Sequence, residues 1–255
     1  MLDKTHVLYI VISILLSAAL IALLRIFIRS ERGHIWVIRA FALLTVALHY
    51  SPLFVDFFSG ITPEVSGPML LPIHPCNVCM WLLLAAAFAK PSESIAYRTL
   101  TEFVFWGGTV CGFIGILLNE NYAANPTLLD YEVLKGLLSH STMLIGCVYL
   151  LVSGIVTIRV RNVISVAAGL TLFIVDGAII NLLYAVFGLD PCNAMYLLEP
   201  PFSDLPWLTN VTMGLMGVAV AFAISALYEA LALPKNERWY SRRRSFNDKK
   251  KGDTV

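Results

Sequence analysis

Charged side chains are scarce in this chain. Asp, Glu, Lys and Arg make up 14% of its 255 residues, against about 25% in soluble globular domains. A soluble protein of this length needs a polar shell, and 18 Lys and Arg with 17 Asp and Glu cannot build one. That shortage excludes a soluble enzyme, a nucleic-acid binder and a disordered linker. Alternation of apolar and polar residues is also missing, which excludes β-barrel strands. No internal repeat and no low-complexity segment is found. What fills the chain is apolar: Ala, Val, Ile, Leu, Met, Phe, Trp, Tyr and Cys account for 58%.

A bilayer core of about 30 Å takes about 20 apolar residues per helix. Seven such runs are present, at about 6–28, 35–58, 69–89, 100–118, 136–154, 163–187 and 210–233. The first is too long for the roughly 7–15-residue core of a signal peptide and is followed by Arg25, Arg29 and Arg32, so it reads as a retained helix. The expected fold is an all-α bundle of seven transmembrane helices, one membrane domain over 1–233 and a basic tail over 234–255. Lysine and arginine set its orientation. Lys4 and Lys135 fall on one side of the spans and the other sixteen on the opposite side, eight of them in the tail. This places the N-terminus outside and the C-terminus in the cytoplasm, with loops 29–34, 90–98 and 155–162 cytoplasmic. In the tail, Trp239 and Tyr240 suit the headgroup level, and the Arg/Lys run suits anionic lipid.

Orientation gives each intramembrane polar group a depth. His6, His49, His74 and His140, with Cys76, Asn77, Cys79, Asn119, Ser141, Asn181 and Tyr184, all fall in the outer half. Asp176 lies near the midplane. Such groups usually face the bundle interior, where a single His or Asn more often bonds two helices than performs chemistry. Gly108, Gly112 and Gly115 suit close helix packing, and Cys111 and Cys147 read as apolar fillers. His6, Asp56 and Glu120 are accounted for as solvated at the interface.

The segment Leu71-Pro72-Ile73-His74-Pro75-Cys76-Asn77-Val78-Cys79-Met80 is harder to explain as packing. Two prolines three apart disfavour helix before Pro75. A helix starting at Pro75 puts proline at its first position, where the missing N–H costs nothing, and Cys76 at its second. A thiol there meets unpaired backbone N–H groups and the positive end of the helix dipole, and both favour the nucleophilic thiolate. His140, at similar depth on the fifth run, is the best base, while His74 could instead cap the helix. Asn119, Asn181 and Tyr184 could stabilise an oxyanion or hold a headgroup.

Leu71-Pro72-Ile73-His74-Pro75-Cys76 resembles the Leu-Pro-x-His-x-Cys signature of YwaF-like bacterial membrane proteins, which group with eukaryotic transmembrane protein 164. Phe105-Trp106-Gly107-Gly108, Ser139-His140, Asn181-Leu182-Leu183-Tyr184 and Pro206-Trp207 resemble the family in the same order, over roughly residues 35–230. The resemblance implies a multi-pass protein of a bacterial plasma membrane. It also implies an acyltransferase that remodels membrane phospholipid through a cysteine acyl-intermediate and a histidine, without a metal or other cofactor. Those roles fall on Cys76 and His140, with His74, Asn77, Asn119, Asn181 and Tyr184 supporting. The chain departs from the eukaryotic pattern at Asn77, which stands in place of a histidine, and at the additional thiol Cys79. Two other readings stand beside it. One is a transporter or binding protein for a small molecule, and the other is a thiol-redox enzyme using Cys76 and Cys79.

Overall fold

A computed structural model describes residues 3–62, 67–201 and 204–240. Most of the basic tail, residues 241–255, lies outside the described residues. Among those described there are helices and no strand. In chain order the α-helices are α1 (Lys4–Phe27), α2 (Glu31–Phe58), α3 (Gly67–Leu70), α4 (Pro75–Phe88), α5 (Ile95–Phe103), α6 (Thr109–Leu117), α7 (Glu120–Ala124), α8 (Tyr131–Val152), α9 (Val163–Val186) and α10 (Asn210–Ala232). A single π-helical turn, Val104–Gly108, joins α5 to α6.

The helix starts follow local chemistry. Asp3, Ser30, Ser94, Asp130 and Thr209 each accept an N–H of the first turn that follows them, satisfying a donor the helix itself leaves unpaired. Ser94 explains why the fourth run begins at Ile95, five residues before the apolar stretch alone suggests. Pro52 lies inside α2 and cannot donate to the Leu48 carbonyl. The Ser51 hydroxyl does so instead, at 2.6 Å.

Six elements are long and apolar enough to cross a membrane: α1, α2, the run from Ile95 to Ala124, α8, the run from Val160 to Val186, and α10. The expected third span differs. Pro72 and Pro75 stop helix upstream of it, so α4 has 14 residues and is about 21 Å long. The short α3 and an irregular stretch at 71–74 precede it.

α8 is the central helix, packed on α1, α2, α4 and α6. The largest buried cluster joins Ile38 and Ala42 of α2, Cys79 and Leu83 of α4, and Met143, Cys147 and Tyr149 of α8. α9 rests on α5, where Gly169 admits the Phe103 ring edge-on to Phe173, 5.2 Å between centroids. The N-terminus is held more firmly than its polarity suggested. His6, expected at a wet interface, is 0% exposed. Its Nε2 bonds to the Ile116 carbonyl at 2.9 Å, and its ring stacks on Tyr122 at 4.3 Å. Asp3 accepts the His6 N–H at 2.8 Å and the Tyr122 hydroxyl at 2.8 and 2.9 Å. These donors, the His6 amide foremost, hold the Asp3 carboxyl below the usual carboxylate range.

Candidate functional site

The segment before α4 is built from the backbone outward. Ile73 donates to Leu71 across a tight turn, and the Ile73 carbonyl accepts the Met195 N–H at 2.8 Å. His74 has extended backbone and caps α4 through its carbonyl, which accepts the Asn77 and Val78 N–H groups. Its side chain makes no cap bond and instead tilts against Tyr196, 5.9 Å between centroids. Pro75 is therefore the first helical residue and Cys76 the second, as its spacing predicts. The Cys76 thiol is half-buried and donates to Asn77 Oδ1 at 3.3 Å, and Asn77 is buried.

His140 sits two to three turns into α8. Its Nδ1 lies 2.7 Å from the Gly136 carbonyl, one turn back. A carbonyl only accepts, so Nδ1 carries the proton, and Nε2 is the basic nitrogen of the neutral ring. The Nε2 and Cδ2 edge lies flat against Gly115 of α6, where a Cβ would overlap it. Gly112, one turn earlier on α6, lets the His140 carbonyl and Leu144 approach, at 3.1 and 3.0 Å from where its Cβ would stand. The three glycines act as the sequence suggested, since Gly108 likewise faces the Cys147 sulfur.

α4 packs directly on α8, the adjacency that helix arithmetic could not supply. Leu83 lies against Gly146, with its Cδ2 3.1 Å from that glycine's Cβ position. The two helices run in the same direction, so two turns back toward their starts lie Cys76 and Ser139, beside His140. A second register agrees. Cys79 Sγ and Cys111 Sγ are 3.9 Å apart, and α4 and α6 are antiparallel. One turn toward the start of α4 and the end of α6 are Cys76 and Gly115, displaced by about 4.5 and 6 Å along their axes. Cys76 and the His140 ring thus share a tier.

The remaining predicted residues are structural in their visible bonds. Asn119 caps α7 by accepting the Tyr122 N–H at 2.9 Å and packs on Gly136. Tyr184 places its hydroxyl against Gly67. Asn181 clamps a turn: its Oδ1 accepts the Ala194 N–H at 2.8 Å, and its Nδ2 donates to the Ala194 carbonyl at 3.3 Å. That turn holds Asn193, Met195 and Tyr196 at φ 45, 54 and 55, left-handed values that cost a side-chain-bearing residue about 1–3 kcal/mol each. Asn193 compensates by accepting the Leu198 and Glu199 N–H groups, and Asn210 binds the Met195 carbonyl at 2.7 Å. Sequence reasoning passed over Met195, Tyr196 and Tyr122, since no motif or periodicity sets them apart. Asn181→Ala is expected to destabilise the protein by about 2–4 kcal/mol, because both Ala194 groups lose their partner. Chemical denaturation checks this, and an unchanged midpoint would show that the clamp is dispensable.

Cys79 is fully buried and directed at Cys111, and all five cysteines are free thiols. Among the described residues no three His, Cys, Asp or Glu side chains are grouped to hold a metal ion. Two cavities are described, one lined by Ile38, Ala87, Tyr97 and Leu150 and another by Leu151, Arg159 and Tyr228. Both lie at the end of the bundle opposite Cys76.

Three of the stretches quoted above for their family resemblance make contacts within the bundle already described. Phe105–Gly108 is the π turn facing Cys79 and Cys147, Ser139–His140 meets Gly115, and Asn181 holds the turn over Ile73. No curated protein and no solved structure matches the chain. The model of the TMEM164 family matches residues 1–228. With nearly the whole length covered, the chain belongs to the TMEM164 family and is a multi-pass helical membrane protein.

Proposed function

We propose that the protein is a membrane-embedded acyltransferase or acyl hydrolase acting on lipid near the outer leaflet, with Cys76 as nucleophile and His140 as base. The observation that carries this reading is the shared tier of the two residues, with Nδ1 of His140 bonded to Gly136 so that Nε2 is the basic nitrogen. In the first half-reaction Nε2 accepts the Cys76 proton while sulfur attacks a lipid ester carbonyl. The ester C–O bond breaks, a thioester forms, and the departing lipid oxygen takes the proton from His140. In the second, a lipid hydroxyl or water gives its proton to Nε2 and attacks the thioester, restoring the thiol. The positive end of the α4 dipole, where Cys76 sits, favours the developing oxyanion. Lipidomics of membranes carrying wild type or Cys76→Ala tests the reading, and identical acyl-chain distributions would overturn it.

In this reading α4 with the segment before it makes the third of seven crossings, the N-terminus is outside, and the tail meets anionic lipid in the cytoplasmic leaflet. The charge partition supports it. Single cysteines introduced as Leu129→Cys and Ser92→Cys check it: the first is expected to react with an impermeant maleimide from outside only and the second from the cytoplasm only. The reverse pattern would invert the topology.

A second reading is thiol-redox chemistry using Cys76 and Cys79, which the three-residue spacing on α4 puts on one helix face. Acyl transfer predicts that Cys79→Ser keeps activity within a few-fold. Redox chemistry predicts that it is as damaging as Cys76→Ser.

A further inference from the structure

The end of the bundle opposite Cys76 holds a feature that acyl transfer leaves unused. After α8 the chain turns through Gly154, at φ +83, and crosses toward α9. Between this crossing and the end of α10 lies a cavity of about 200 Å3, lined among others by Leu151, Val156, Thr157, Arg159, Tyr228 and Leu233. A buried carboxylate fixes its walls. Glu229 is 3% exposed and accepts the Val160 N–H at 2.9 Å and the Trp239 N–H at 2.6 Å. It thereby ties α10, the crossing and the chain beyond α10 into one unit, each carboxylate oxygen taken by a backbone amide.

Arg159 is the unbalanced group in this unit. Its Nη2 approaches Glu237 at 3.4 Å, a long single contact for a group able to bind a planar anion in two places. Its Nη1 is buried and has no hydrogen-bond partner among the described residues. Buried guanidinium nitrogens are rarely left so, and an orphan of this kind marks a missing acceptor. Arg161, Lys235 and Arg238 stand in the same stretches of chain and outnumber the carboxylates of Glu229 and Glu237. Arg238 is occupied by the Leu233 carbonyl and the Tyr240 hydroxyl, which leaves Arg159 as the cation lining the cavity.

We propose that this cavity binds a phosphate group, with Arg159 as its cationic ligand and Thr157 and Tyr228 as hydroxyl ligands. Leu151, Val156 and Leu233 supply an apolar wall that suits the glycerol end of a phospholipid. The phosphate can belong to an anionic lipid headgroup or to a soluble phosphate, and both present the same oxygens to the guanidinium. The inference is independent of acyl transfer, because Cys76 lies at the other end of the molecule. Its failure would leave that reading standing.

The test uses the full chain purified in neutral detergent. Native mass spectrometry counts bound dioleoylphosphatidylglycerol against dioleoylphosphatidylcholine, and Tm is read with added inorganic phosphate against chloride at matched ionic strength. Wild type should retain the anionic lipid about tenfold over the zwitterionic one, or gain several degrees from phosphate. The first result assigns the site to lipid and the second to a soluble phosphate. Arg159→Gln should abolish whichever effect is seen. Glu237→Gln should strengthen it, since it removes a competing carboxylate and frees Nη2. A merely structural ion pair predicts the contrary, with both variants losing stability and neither changing binding. If Arg159→Gln does not fold, Glu237→Gln decides alone: stronger binding supports the site, and unchanged or weaker binding overturns it. Absence of both effects in wild type also overturns it.

Discussion

Replacing Cys76 with alanine is expected to abolish acyl redistribution among membrane lipids, and replacing His140 with glutamine to lower it by about 10²–10⁴-fold, the range for loss of a positioned general base. The two losses should not multiply in the double variant, because a thiol and its base act as one unit. The His140 effect should also depend on pH. The histidine variant should regain part of its rate as rising pH ionises the thiol directly, whereas Cys76→Ala should stay inactive throughout. Rates of acyl exchange in reconstituted vesicles between pH 6 and 10 provide the measurement. A His140→Gln protein with the wild-type profile would remove the base from the scheme. It would leave His140 as a bond between turns of α8, through Gly136.

Gly115→Ala is expected to have the next largest effect, although the residue has no chemistry of its own. Its new methyl group would overlap the imidazole of His140. Helix–helix contact in this region is close on both sides, with Gly112 already against Leu144, so the ring must move or the helices must part. Overpacking of this kind costs about 1–3 kcal/mol. A base displaced by about 1 Å loses about 10²-fold in rate. Gly217→Ala is the control: nothing lies within 4 Å of its Cβ position. It should be neutral or slightly stabilising, by up to about 1 kcal/mol, from helix propensity alone. Thermal unfolding and vesicle assays of the two variants separate the stability term from the rate term. A fully active Gly115→Ala would show that the position of the ring is not critical.

The parts of this molecule that follow from local rules are legible in the sequence. Pro75 at the first position of α4 with Cys76 after it follows from the steric demands of two prolines. The glycines facing α8 follow from their spacing on one helical face. What could not be read depends on distant partners. The prolines set where α4 begins, but the anchor of the chain before it is a bond from Met195 to Ile73, more than a hundred residues away. His6 is buried because Tyr122 and Ile116 happen to meet it. The left-handed turn at Asn193–Tyr196 contains no glycine to announce it. Only Asn193, a residue that tolerates that conformation, gave a hint. Depth singles out Asn119, Asn181 and Tyr184 as candidates, but their bonds depend on where the chain folds back on itself. Depth is shared by every side chain on a tier, and it does not distinguish one that points at a ligand from one that closes a loop.

The wide turn at Val104–Gly108 carries a consequence for chain length rather than composition. An α-helix advances about 100° per residue, and one π turn accommodates one residue more than an α turn over nearly the same rise. Everything from Thr109 onward is therefore rotated by about one residue relative to α5. That rotation brings Cys111 to Cys79 and Gly115 to His140. Excising any one residue from this turn would let the helix relax to uniform α geometry. Both contacts would then swing about 100° around the axis, with no side chain in either contact altered. Conservative substitutions within the turn should be tolerated where they fit, whereas a single-codon deletion there should be as damaging as losing His140.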